Sequence, residues 1–254
     1  MSEDAKSSIL KSIGSIAISM AIVVAACIFG NAWVKSKRSD SNKTTIEVTG
    51  KAEKDFVSDL IVWSAGFQRN NFDLKEGYRE LQLDRDAIKN YLIRNGMKEA
   101  DIKFSSVGIE RIYDNVYDKN DNIISKNFRN IVLSQSVTVE SREVNKVEDI
   151  SRSITTLIEQ GIELSSNPPS YYYTKLADLK LEMLKKAALD SRKRCELILQ
   201  EAGANKGNLS KSSMGVFQIT GKNSSDGYEW GGTFNTSAKE KTVSVTVNLE
   251  YEIN

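Results

Sequence analysis

From Thr242 to Ile253 apolar and polar residues alternate without a break. Val243, Val245, Val247, Leu249, Tyr251 and Ile253 hold one set of positions, and Thr242, Ser244, Thr246, Asn248, Glu250 and Glu252 the other. A period of two puts each set on its own side of a pleated backbone, so the segment reads as a long strand with one buried and one wet face. Such a strand needs a sheet with apolar cover on one side. Two helical stripes can supply it. Between Leu74 and Asn95, Leu74, Tyr78, Leu81, Ile88 and Leu92 share a helical face, and Gly96 follows as a C-terminal cap. Between Val144 and Gln160, Val147, Ile150, Ile154 and Leu157 form a second stripe that Gly161 stops.

The other elements follow from local patterns. Ile46 and Val48 alternate in TTIEVTG, and Asp59 to Gln68 is a dense β-favouring run. Ile102–Tyr117 and Phe128–Glu140 flank the turn-prone 118–122 and read as a long hairpin. A short strand is expected at Ile162–Leu164. Asn167-Pro168-Pro169-Ser170 then forces a non-helical connection. Tyr171–Tyr173 is β-prone, and Thr174 is placed to cap the longest soluble helix, Leu176–Ala202, which Gly203 ends. Val216–Thr220 completes the strands. Strands joined mostly as hairpins, with helices between hairpins rather than after each strand, predict an α+β fold with a largely antiparallel sheet and helices on one face.

Ahead of this domain, Ser12 to Val34 is a run of 23 residues without a formal charge. As a helix rising ~1.5 Å per residue it reaches ~34 Å, enough to cross a hydrocarbon core of ~30 Å. The apolar character runs on to Lys35, longer than the core of a cleaved signal peptide, so an uncleaved transmembrane signal anchor is expected. Val24-Ala25-Ala26-Cys27 also fits the pattern before a lipidated cysteine, and ordinary cleavage is the third alternative. Lys6 and Lys11 on one side balance Lys35, Lys37 and Arg38 on the other, so flanking charge does not orient the span. The short tail, residues 1–11, is the natural part to leave in the cytoplasm. Residues 35–43 read as a polar tether, and residues 44–254 as an extracytoplasmic domain at the cytoplasmic (inner) membrane.

The domain resembles the SIMPL-domain (DUF541) family, which includes bacterial periplasmic proteins described as oxidative-stress defence proteins. Ile46-Glu47-Val48-Thr49-Gly50-Lys51-Ala52-Glu53, then Ile61-Val62-Trp63, the stretch from Tyr171 to Cys195, Gly215–Ile219 and Lys241–Ile253 carry the resemblance, in order, across residues 44–254. The resemblance implies a membrane-attached or secreted domain, frequently oligomeric, with no established catalytic mechanism and no active-site motif to transfer. One departure is Asp190-Ser191-Arg192-Lys193-Arg194-Cys195, bulkier and more polar than the family's alanine-rich helix, which weighs against close helix packing there.

Composition narrows the chemistry. Lys plus Arg number 35 and Asp plus Glu 34, a net charge of +1, so no long-range field steers the chain to nucleic acid. Histidine is absent, which removes Ser-His and Cys-His pairs and histidine-ligated zinc. Cys27 lies in the expected span and Cys195 in the domain, so no disulfide or cysteine metal site forms within one chain. There is no GxGxxG, P-loop or GxSxG, and no enzyme activity, cofactor or metal is expected. Asp118, Asn120 and Asn122 imitate the start of a calcium loop, but Ile123 stands where glycine is needed and Arg129 where the closing glutamate belongs, which favours a solvated turn. Cys195 is either a buried small hydrophobe or, beside Arg192, Lys193 and Arg194, a redox thiol of lowered pKa. Thr220–Lys239 is a long glycine-rich loop carrying Tyr228, Trp230 and Phe234, and is either a contact surface or a segment tucked onto its own domain. The expected function is a membrane-anchored, self-associating, non-enzymatic role in envelope integrity or oxidative-stress defence. The alternative is a binding module in which the Tyr228/Trp230/Phe234 loop takes a small ligand, a glycan or a partner protein.

Overall fold

The computed structural model describes residues 20, 24–33 and 44–254. Met20 and residues 24–33 are helical. The rest of the 12–34 span, the 1–11 tail and the 35–43 tether lie outside the described residues. Among the described residues no helix is long and apolar enough to cross a membrane.

The fold is α+β, with every strand pair of its larger sheet antiparallel. In chain order come β1 (Thr45–Val57), β2 (Leu60–Asn71), helix α1 (Leu74–Arg94), β3 (Ile102–Phe104), β4 (Gly108–Tyr117), β5 (Ile123–Ser141) and helix α2 (Val144–Ser153). After them come β6 (Glu163–Ser166), β7 (Ser170–Tyr172), helix α3 (Leu176–Glu201), β8 (Lys206–Met214), β9 (Gln218–Gly221) and β10 (Glu240–Ile253). One sheet has the order β1-β10-β8, with β9 also pairing β10. The chain forms two compact units. One comprises Lys51–Asp190 and Met214–Val247, the other the described residues up to Gly50 with Ser191–Ser213 and Asn248–Asn254.

In the larger unit β2 is the hub. It pairs with β5 from Ile61 opposite Ser141 to Asn71 opposite Ile131. Its other edge takes β7 and β6 in succession, while the outer edge of β5 takes β3 and then β4. Alternation decides which face is covered. Ile61, Trp63, Ala65 and Phe67 of β2 and Ile131, Leu133, Val137 and Val139 of β5 are all buried, with Leu81, Ile88 and Leu92 of α1 and Val147 and Ile150 of α2 in the same core. Each side chain of this size removed from water stabilises by ~1.5–3 kcal/mol. Gly77 lets α1 come close, because a Cβ there would lie 2.7 Å from Leu133 Cδ1. The core also needs its polar ties. Trp63 Nε1 donates to Ser166 Oγ at 3.0 Å, and that hydroxyl donates to the Ser151 carbonyl at 2.7 Å, joining β2, β6 and α2.

Helix ends follow the residues at them. Asp73 accepts from the Glu76 amide at 2.9 Å to start α1, and Gly96 at φ +85° ends it. The second expected helix is α only to Ser153 and continues as a 3₁₀ segment over Ile154–Gln160. There the Thr155 and Thr156 hydroxyls donate three residues back to Arg152 and Ser153 carbonyls, which with β-branched crowding loosens the α pattern. The expected strand 102–117 is split: Ser105 Oγ accepts the Ser136 amide at 3.0 Å, where an unbroken ladder would use backbone. Thr174 does not cap α3. It gives its amide and hydroxyl to Asp59, and Lys175 offers the first helical carbonyl, to Leu179.

In the smaller unit Val48, Cys195, Leu199, Leu249 and Tyr251 are buried. The polar stretch expected to loosen the helix is used instead: fully buried Ser191 donates to the Val48 carbonyl at 2.7 Å. β8 was not expected, since KGNLSKSSM has no apolar alternation and is exposed along most of its length.

The charged tie of the larger core is Arg69 on β2 to Asp84 on α1, a two-pronged pair whose Nη2–Oδ1 distance is 2.6 Å and whose carboxylate is 4% exposed. Removing one partner of a buried pair strands the other charge. Asp84→Ala should therefore cost about 3 kcal/mol in urea unfolding, while Glu76→Ala, which removes an exposed pair partner, should leave the urea midpoint nearly unchanged.

Candidate functional site

The aromatic loop after β9 is built, and it lies on its own unit. Ile219 donates to the Thr233 carbonyl and accepts from the Asn235 amide, so the loop returns alongside β9. The Gln218 side chain clamps its middle, with Nε2 donating to the Glu229 carbonyl at 2.8 Å and Oε1 accepting from the Thr233 amide at 2.8 Å. Asp226 Oδ2 accepts from the Gly221 amide and Asn235 Nδ2, both at 2.8 Å, and these bonds hold its carboxyl below the usual range. On this frame Trp230 is wholly exposed, Tyr228 reaches Ser244 Oγ at 3.3 Å, and Phe234 is half exposed. Met214, Val216, Tyr228 and Trp230 line a shallow cleft of about 420 Å³.

A second apolar surface is the outer half of the β4–β5 hairpin. Among the described residues, β5 before Ile131 pairs with no strand but β4, and residues 123–129 are exposed on both faces. Ile109, Tyr113, Tyr117, Ile123, Ile124 and Phe128 are each about half exposed or more. Tyr113 and Phe128 stack edge to face, 5.9 Å between ring centres, so one face of the arm carries an aromatic pair.

The Asp118 carboxylate is spent on its own turn. Oδ1 accepts from the Asn122 and Asn120 amides at 2.9 and 2.7 Å, which lowers its pKa, and Asp121 closes the turn at φ +59°. Cys195 is fully buried, and burial pushes its thiol up, the opposite of what a redox nucleophile requires. Arg192, Lys193 and Arg194 beside it are exposed. Cys195 packs as a small hydrophobe.

The larger unit holds a third feature that pattern reading passed over. Lys241, the residue just before the alternating segment, is 2% exposed. Its Nζ donates to Ser58 Oγ at 3.0 Å and to the Tyr171 carbonyl at 2.6 Å. No carboxylate pairs with it among the described residues, and burial pushes the ammonium down to about 8. Ser58 lies between β1 and β2 and forms part of a groove of about 910 Å³.

Residues 46–251 match the model of a family described as SIMPL, a protein of unknown function (DUF541). The chain belongs to that family. No curated protein compared with the chain matches it. The SIMPL match spans the strands and helices that carry the arm, the loop and Lys241, so all three are features of this SIMPL domain.

The signal for Lys241 was in the sequence. It shares the odd-numbered phase of Val243, Val245 and Val247, so the pleat aims it inward. Ser58 offered no signal, because nothing local says that a turn serine meets a residue 183 positions later. The lowered ammonium has a signed consequence. An unfolded lysine near 10.5 holds its proton more tightly than the folded one near 8, so between those values the unfolded state binds more protons and stability rises with pH. Compared with Lys241→Met in parallel urea titrations, the wild-type protein should gain stability from pH 8 to pH 10, at up to about 1.4 kcal/mol per pH unit.

Proposed function

We propose that this SIMPL protein is a non-enzymatic, membrane-anchored protein whose domain self-associates outside the cytoplasm and supports envelope integrity or oxidative-stress defence. Residues 12–34 serve as the anchor and residues 44–254 as the assembling domain at the inner membrane. The anchor rests on the length and uncharged character of that run. The stress role rests on the family resemblance.

Self-association rests on one observation, the two-stranded arm with six large apolar residues in water. An isolated two-stranded ribbon is marginal, and a contiguous exposed apolar surface marks a contact site. The outer edge of β4 pairs with no other strand among the described residues, so its backbone groups can take another. A second copy of the chain is the occupant that fits. The arm carries both signs, with Glu110, Arg111 and Asp114 on β4 and Lys126 and Arg129 on β5, so no single-sign field repels an identical arm.

A second reading, binding through the loop, is favoured by the full exposure of Trp230 beside its cleft. The two separate in one experiment. By size-exclusion chromatography with light scattering on the full chain in a non-ionic detergent, the wild type should run as a defined multimer. Tyr113→Glu with Phe128→Glu should give a folded monomer, and Trp230→Ala should leave the multimer intact. A wild-type monomer, or a multimer unmoved by the arm substitutions, contradicts the proposal.

A further inference from the structure

We propose that the groove over Ser58 binds a phosphate group. The first observation is a spare proton. Ser58 is 4% exposed, its Oγ already accepts from Lys241 Nζ, and no described residue accepts its own O–H. Ser58, a residue of the groove wall, therefore keeps one hydroxyl proton to donate, polarised by the ammonium bonded to its oxygen.

The second is an uncompensated charge. Lys241 has three N–H donors and two acceptors, a hydroxyl and a carbonyl. Burying an ammonium without a counter-ion is costly, and an anion in the groove, one hydroxyl away, supplies the missing negative charge.

The third is the start of α2, which forms another wall. The first amides of a helix, here at Val144, Asn145 and Lys146, have no intrahelical partner, and the side chain of the cap residue Glu143 makes no capping bond to them. They present the positive end of a ten-residue helix. Arg142 and Lys175 stand at the rim without an ion pair among the described residues, beside Lys146 and Lys239. The groove also has two acids, both engaged: Asp59 accepts from the Thr174 amide and hydroxyl at 2.6 and 2.7 Å, and Glu143 pairs with Lys146. Lys239 is shared with Asn145 and, at 3.1 Å, Glu148.

Amide donors, a hydroxyl donor and the Arg142 and Lys175 cations around one space, with Arg142 also acting on the Asp59 carboxylate, match a tetrahedral dianion with three acceptor oxygens better than a carboxylate. The phosphate can come from a soluble monoester or from a lipid headgroup, and the groove is large enough for either to extend from it.

Isothermal titration of the full chain in a non-ionic detergent, at neutral pH and constant ionic strength, tests this with inorganic phosphate, glycerol 3-phosphate and dioctanoyl phosphatidic acid. Saturable one-site binding is expected. Arg142→Ala and Ser58→Ala should each weaken it about tenfold, a loss of the order of one charge-assisted hydrogen bond. Lys175→Ala, on the exposed rim, should weaken it several-fold with an unchanged circular dichroism spectrum, which keeps the test valid if Ser58→Ala does not fold. Tighter binding of phosphatidic acid than of glycerol 3-phosphate assigns a lipid source, and equal binding a soluble one. No saturable binding of any of the three, or binding equal in wild type, Arg142→Ala and Lys175→Ala, overturns the site.

Discussion

The register of β5 on β2 is the constraint on which the larger unit depends. Ile131, Leu133, Val137 and Val139 face the helices only because Asn71 stands opposite Ile131 and Ile61 opposite Ser141. A slip of one residue would turn every one of them to water. Gly77 against Leu133 and the Arg69–Asp84 pair hold the same register from the helix side. Once it is fixed, the rest of β5 has a direction but no cover: its last eleven positions pair with β2, and the residues before Ile131 extend beyond it. The exposed arm is thus a consequence of one strand outgrowing its core.

That geometry links packing to function. A free hairpin of this composition would fray, but this one grows from a strand rooted in the core. Ordering its root costs the arm little additional entropy, so the partner proposed for it would meet a surface already formed. The SIMPL domain combines this ready edge with a loop that is itself held by Gln218 and Asp226. Neither apolar surface is an unstructured segment.

Much of this was legible in the sequence where one pattern had one physical cause. The stripe of Leu81, Ile88 and Leu92 marked α1 and Gly96 its end, while the Asp73 cap at its start came only with the structure, and the alternation from Val243 onward gave β10. Legibility failed where the cause was distant. β8 is held by its neighbour strand rather than by its own apolar residues. β5 starts at Ile123, not at Phe128, because the arm pairs by backbone across residues whose side chains remain in water. The 3₁₀ stretch at Ile154–Gln160 depended on hydroxyls competing for helical carbonyls, which periodicity does not register. Among site residues, the aromatic loop was visible as composition but not its docking on β9. Cys195 was visible as a thiol among cations, whereas its burial decided its character. Ser58 and Lys241 needed the fold to bring them together.

Under the proposed self-association, the β4 edge is covered by another copy of the chain. Hydrogen exchange read by mass spectrometry on the full chain in detergent, at high and at low protein concentration, addresses it directly. Amides of Ile109–Tyr117 that face away from β5 should be protected in the concentrated sample and exchange rapidly on dilution, while those of Ile131–Val139 stay protected throughout. Rapid exchange along the β4 edge at every concentration would contradict the account.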